Sequence, residues 1–302
     1  MFGCIIETMN QDQFSEILKT TYKRQIPQSE ILEEKDCGKY IRQKIEFFVD
    51  ENDRIPAYIL IPKNLKKKTA AIYCHHQHAS DRDIGKSEVV GLAGDSNMAY
   101  AKELAEQGFI TFAPDCIAFE ERQNEMGGGE GNYFELAKRL IKDENLLAKA
   151  LEDISLGIDY LEAREEVDSD EIGFIGHSYG GRMAIFAPAY DKRIKVSVSN
   201  CGCVNYKDSI NKKIGIQLEF CVPGFTNFGD VEDVVRLAAP CPLLISATSN
   251  DKYSFGANEM FEYAKESFND GDLELKIYEG DHIFNEEMRD YAYSFLSKYL
   301  SK

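Results

Sequence analysis

The chain has 302 residues, 43% hydrophobic and 29% charged, which suits one large α/β domain with a sizeable buried core. A net charge of −17 repels phosphate backbones and anionic lipid, so neither a nucleic acid nor a membrane surface is an expected partner. The first 13 residues have no basic region and only a short apolar run, and no later stretch is long and apolar enough to span a bilayer. The eight cysteines are scattered without a CxxC pair, and Cys201 and Cys203 stand too close together for an ordinary bridge. We therefore expect a cytoplasmic protein with reduced thiols.

In chain order, residues 11–26 predict an amphipathic helix with Phe14, Ile17 and Leu18 on one side. Strand-like runs follow at 40–49 and 55–61, joined by the turn Asp50-Glu51-Asn52-Asp53 as an antiparallel hairpin. Beyond the hairpin, short apolar runs at 69–74, 109–113, 171–176, 195–199, 242–247 and 273–278 predict strands buried on both faces. Helical patterns fall between and after them at 98–107, 146–164, 179–187, 256–268 and 285–300. This alternation predicts an α/β fold: a mostly parallel, eight-stranded sheet flanked by helices, with ligands binding beyond the carboxyl ends of the strands. We expect a single domain over 1–302, with an N-terminal helical extension to about residue 38. Two segments break the alternation, 116–145 with its Gly127-Gly128-Gly129 run and 201–235 with Tyr206, Phe220, Phe225 and Phe228. Such excursions at strand ends are read as lid-like insertions, their aromatics either lining a pocket or packing the insertion onto the core.

The most informative run is Gly176-His177-Ser178-Tyr179-Gly180, which follows an apolar strand and opens a small-residue helix. It reads as a G-x-S-x-G nucleophile elbow. The glycines leave room for a strained turn that lifts the Ser178 hydroxyl to a helix N-terminus, where developing negative charge is favoured. The bland alternative is a tight strand-to-helix turn with an ordinary serine.

Only five histidines exist, His75, His76, His78, His177 and His282, and each falls at or just after a predicted strand end. His282 is the only one after Ser178 and is the candidate base, taking and returning the serine proton; its alternative is a surface-loop histidine. Asp251, soon after strand 242–247, is the candidate acid that holds the imidazole tautomer. Asp281 is a rival, and Asp251 could equally cap the next helix. An oxyanion hole needs two N–H donors: the backbone of Tyr179 is one, and Gln77, with His76 as second choice, is the other. The His75-His76-Gln77-His78 cluster beside Cys74 also suggests a metal, but no ligand spacing elsewhere completes such a site, so we expect neither metal nor cofactor. His76, His177 and Arg122 are candidate pocket residues.

The elbow through Ala184, together with Asp251 and Gly280-Asp281-His282, resembles the dienelactone-hydrolase-like and acetyl-xylan-esterase-like branch of the α/β hydrolases. The run from Gly85-Lys86-Ser87 to Gly94 is similar to the loop such esterases carry before their first helix, and Phe112-Ala113-Pro114-Asp115 with Glu121-Arg122 is similar as well. The resemblance covers roughly residues 40–300. Dienelactone hydrolases proper carry cysteine as nucleophile where this chain has Ser178. The resemblance implies an α/β-hydrolase fold and a serine hydrolase acting on a small carboxylic ester, an acetylated sugar among them, through an acyl-enzyme. The same three side chains would serve a thioesterase, an amidase or peptidase, or an acyltransferase; a non-catalytic binding protein is the reading from another class. Arg122 either pairs with Asp115 or Glu121, as a structural salt bridge or near the pocket, or binds a substrate carboxylate. A homo-oligomer is compatible with the sequence.

Overall fold

The computed structural model describes residues 8–63 and 65–301. Its strands are β1 Ser29–Asp36, β2 Tyr40–Phe48, β3 Arg54–Pro62, β4 Thr69–His75, β5 Ile110–Pro114, β6 Val167–His177, β7 Ile194–Asn200, β8 Leu243–Thr248 and β9 Leu273–Tyr278. They form one nine-stranded sheet in the order β1-β2-β3-β5-β4-β6-β7-β8-β9. The pairs among β1, β2, β3 and β5 are antiparallel, and every pair from β5-β4 to β8-β9 is parallel. The mostly parallel α/β sheet is as expected, but it has nine strands rather than eight. The extra strand, β1, is exposed along its whole length, so its sequence carries no apolar alternation; its pairing with β2 alone makes it a strand.

The helices are α1 Gln11–Leu18, α2 Lys86–Val89, α3 Tyr100–Glu106, α4 Gly128–Ile141, α5 Leu146–Glu162, α6 Tyr179–Tyr190, α7 Tyr206–Lys212, α8 Val231–Ala238, α9 Ala257–Ala264 and α10 Glu286–Tyr299. The helical extension expected to about residue 38 is thus helical only over α1, which buries Phe14, Ile17 and Leu18. Helix α1 stops at Lys19 in the left-handed region, and the amides of Thr21, Tyr22 and Gln25 turn to the carboxylates of Glu152 and Asp159 on α5 instead of to helical carbonyls. Residues 1–7 of that extension lie outside the described residues.

Strand alternation divides the core between the two sheet faces. Ala71 and Tyr73 of β4, Phe112 of β5 and Phe174 of β6 pack with α1, α5, α6 and α8. Ile72 and Cys74 of β4, Ala113 of β5 and Ile175 of β6 pack with α3 and α10. On the first face Tyr73 stacks on Phe174 at 5.0 Å between centroids and meets Phe112 edge-on at 5.4 Å. Among the described residues no helix is long and apolar enough to cross a membrane.

Parallel register sets the functional residues side by side. His75 on β4 is level with Gly176 on β6, His177 with Asn200 on β7, Asn200 with Ser246 on β8, and Thr248 with Tyr278 on β9. The carboxyl ends of these five adjacent strands and their loops therefore form one rim.

Candidate active site

At the end of β6 the chain turns sharply. Ser178 has φ 57° and ψ −113°, a left-sided conformation that an L-residue adopts only when its surroundings enforce it. Its amide donates to Asn200 O at 2.8 Å, and its carbonyl accepts from Arg182 N at 2.9 Å. The glycines are steric requirements: a Cβ on Gly176 would lie 2.3 Å from the carbonyl carbon of Gly180, and one on Gly180 would lie 2.2 Å from His75 O. Ser178 reaches a cavity at 9% exposure and precedes α6 directly. Tyr179 is the first residue of α6, where a helix leaves its amide without an intrahelical acceptor. The Tyr179 ring is buried among His75, Phe119 and Phe220 and takes no part in the cavity wall.

His282 stands in the loop after β9, and its Nδ1 lies 3.0 Å from Asp251 Oδ1 in the loop after β8. The approach is close but bent, for Nδ1 has no well-aligned hydrogen-bond partner. Asp251 also accepts from Tyr253 N at 3.0 Å and Ser254 Oγ at 2.7 Å. Burial pushes its carboxyl upward, but His282, Ser254 and the Tyr253 amide outweigh burial and hold it below the usual carboxylate range, so it stays ionised. The loop of His282 is moored to the neighbouring strand ends. Thr248 Oγ1 donates to Asp281 O at 2.7 Å, Asn250 N to Gly280 O at 3.0 Å, and Asn200 Nδ2 to Ile283 O at 3.1 Å. Asp281, the rival acid, is held in this loop through its backbone carbonyl.

The other wall begins after β4. Gln77 borders the cavity, and its side chain turns aside to Glu88 Oε1 at 3.1 Å, leaving its backbone as the group of interest for an oxyanion. His76 does not reach the cavity, contrary to expectation. Its Nε2 accepts from Cys116 N at 3.1 Å, so Nδ1 carries the proton and donates to Gln77 O at 2.8 Å. It is a neutral strut between the Gln77 loop and the end of β5, its imidazole pushed down to about 4 by burial. His177 is also absent from the cavity wall. It is fully buried, accepts at Nδ1 from Asn200 Nδ2 at 2.7 Å, and lies 4.6 Å between ring centroids from His282. Burial pushes His177, like His75, down to about 3.

Arg122 is likewise buried away from the cavity. It pairs at 2.9 Å with Asp53 in the β2-β3 turn and at 2.9 Å with Asp153 on α5, and donates to the backbone of Asp115 at 3.2 Å. It is a structural ion pair with partners other than the Asp115 and Glu121 side chains. Those carboxylates instead gather on Lys86. Its ammonium is fully buried, 2.7 Å from Asp115, 2.6 Å from Glu120 and 2.5 Å from Glu121. Burial lowers the ammonium, but Asp115 and Glu120 outweigh it and hold it charged. Glu120 also accepts from the amides of Gly85 and Ser87, which locks the glycine-lysine loop onto the segment after β5.

The cavity has a volume of about 730 Å³. It is lined by Ser178, His282, Gln77, Tyr253 and residues 78–83, together with Gly128, Gly129, Asn132 and residues 215–218. Both segments that break the alternation thus contribute wall. The aromatics of 201–235 do not: Tyr206, Phe220 and Phe225 are buried in the core, and Phe228 packs against it. Sequence reasoning missed Asn200, Tyr253 and the buried pair Arg82–Glu219 at 2.8 Å, with Asn132 on the same carboxylate at 3.1 Å. For Asn200 the one available signal was its place at a strand's carboxyl end.

This sheet order, with a serine elbow after β6, the sixth strand of the order, and an Asp–His pair after the last two strands, defines an α/β hydrolase fold. Residues 86–299 match the dienelactone hydrolase family, and the chain belongs to that family of hydrolases. It is 29% identical over 204 residues to the protein YtaP of Bacillus subtilis (strain 168), a match covering 67% of each chain. Three further relatives match over only 24–34% of their own length. Among solved structures, a glucuronoyl esterase from Solibacter usitatus superposes with a TM-score of 0.71 at 15% identity, covering 95% of this chain and 91% of that one. Acetyl xylan esterase 1 from Thermoanaerobacterium sp. JW/SL YS485 superposes with a TM-score of 0.64 at 15% identity, covering 97% and 96%.

Proposed function

We propose that the protein is a serine hydrolase that cleaves a small carboxylic ester, with Ser178 as nucleophile, His282 as base and Asp251 as the acid that orients it. The observation that carries this reading is the 3.0 Å contact between Asp251 and His282, with His282 and Ser178 lining the same cavity. Ser178 gives its proton to His282 Nε2 as its Oγ attacks the ester carbonyl. The amide of Tyr179 and a backbone amide of the Gln77 loop receive the oxyanion. The alcohol departs with the proton from His282, and water activated by the same imidazole releases the acid. No step calls for a cofactor.

An alcohol rich in hydroxyl groups, such as an acetylated sugar, suits the walls. His78, Ser80, Asp81, Asp83 and Gln217 are among the polar residues that line the cavity with Ser178, and Ala79, Ile216 and Leu218 are among the apolar ones. Two structures of similar fold, a glucuronoyl esterase and an acetyl xylan esterase, carry names that fit this reading.

The test is Ser178→Ala assayed on p-nitrophenyl acetate. Removing a triad nucleophile costs roughly 10⁴- to 10⁶-fold in kcat. The variant should keep the parent's circular dichroism and urea midpoint, and a fluorophosphonate probe should label the parent alone. A variant that hydrolyses the ester at the parent's rate overturns the assignment.

A further inference from the structure

The Asp–His pair has a third neighbour that hydrolysis does not use. Cys201 follows β7 directly, and its backbone is forced to φ 52°, a region where a non-glycine residue is uncommon. Its amide donates to Ser246 O at 2.9 Å, which fixes the turn between β7 and β8. The thiol points toward the loops after β8 and β9, 3.6 Å from Thr248 Oγ1 and 3.6 Å from Ile283 O. There Cys201 Sγ, an Asp251 carboxylate oxygen and a ring nitrogen of His282 all lie within 4.8 Å of one another. Asp251 Oδ1 and His282 Nδ1 are already 3.0 Å apart, and Nδ1 has no well-aligned hydrogen-bond partner.

A thiolate, an imidazole and a carboxylate are the ligand types that zinc takes, at roughly 2.0–2.3 Å from the metal. Three such atoms at this spacing need small movements to close around one ion. The hard cations Mg²⁺ and Ca²⁺ favour oxygen ligands and would gain little from sulfur.

We propose that Cys201 Sγ, Asp251 and His282 Nδ1 form a binding site for a soft divalent cation, Zn²⁺ or Cd²⁺, whose occupancy switches hydrolysis off. The switching rests on the reading of His282 as base; the binding does not. On binding, the Cys201 thiol loses its proton to water and a metal–sulfur bond forms. The metal takes the Nδ1 lone pair, so the single proton of the neutral imidazole resides on Nε2. Nε2 then has no lone pair for the Ser178 proton, and the nucleophile stays unactivated. Removing the metal restores the thiol, the Nδ1 proton and the activity.

The experiment uses the full chain dialysed against EDTA, then titrated with ZnCl₂ or CdCl₂, comparing the parent with Cys201→Ala and Cys201→Ser, each normalised to its own metal-free rate. The parent should lose p-nitrophenyl acetate hydrolysis and regain it on adding EDTA, while MgCl₂ leaves it active. Both variants should need about ten-fold or more Zn²⁺ for half-inhibition, since even outer partners of a metal shift affinity by that much. The ultraviolet Cd²⁺–thiolate band reads binding without activity. It should be weaker in Cys201→Ala than in the parent, and it should persist in Ser178→Ala. Equal inhibition of parent and variants, or an equal band in parent and Cys201→Ala, overturns the site. A Cys201-dependent band in a fully active enzyme leaves binding intact and overturns the role of His282 as base.

Discussion

Asn200 Nδ2 donates to His177 Nδ1 at 2.7 Å, and so ties the residue before Ser178 to the mooring of the residue after His282. The same nitrogen donates to Ile283 O at 3.1 Å, while Asn200 Oδ1 accepts from Ser246 Oγ at 2.7 Å. One buried amide therefore joins β6, β7, β8 and the His282 loop. Replacing Asn200 by Ala should displace the imidazole without touching the cavity wall. We expect kcat to fall by up to about 100-fold with KM little changed, as for a small misplacement of a catalytic group. A change confined to KM would contradict this role.

Asp251→Asn keeps the shape but presents an amide that favours the wrong imidazole tautomer. The expected loss in kcat is about 10⁴-fold. Steady-state kinetics with an ester substrate measure it, and a rate near the parent's would show that Asp251 does not orient His282.

Arg122→Ala separates a structural ion pair from a substrate contact. It leaves Asp53 and Asp153 near Lys149 alone, at 2.5 Å from each, in a buried setting. Breaking a buried pair in this way costs about 3–5 kcal/mol. A lower urea midpoint with unchanged KM is the expected result; a raised KM at unchanged stability would make Arg122 a binding residue after all.

Acid should destabilise the fold through its buried histidines. Burial depresses His75 and His177 to about 3 and His76 to about 4. The unfolded chain protonates each near its ordinary value of about 6.5. Below that value the unfolded state binds more protons than the native state, so the stability these residues contribute is complete above it and is lost as the pH falls toward the native values. Each adds up to about 1.4 kcal/mol per pH unit to the slope. The urea midpoint of His177→Asn should fall less than the parent's between pH 7 and pH 5, and an equal fall would refute the account.

The fold was legible where burial is two-sided. The apolar runs of β4, β6, β7 and β8 announced themselves because both faces are covered. β1 did not, because hydrogen bonding to β2 and not burial makes it a strand. The elbow, His282 and Asp251 were legible because sharp turns and strand ends leave local signatures. His76 and His177 were placed at the right strand ends and Arg122 in the segment after β5, yet which way a side chain turns depends on partners distant in the chain: Cys116 for His76, Asn200 for His177, Asp53 for Arg122. Lys86 stood out as part of a glycine-lysine loop, but its three carboxylate partners come together only once β5 lies beside β4.

Because the proposed reacting groups, Ser178, Asp251 and His282, follow strand ends while Gly128, Gly129, Asn132 and residues 215–218 only line the cavity, the two parts answer to different constraints. Exchanging that lining for another of different length or polarity would change which alcohol fits and leave the proton relay where it is. One scaffold of this kind can thus serve many esters through changes that never touch its chemistry.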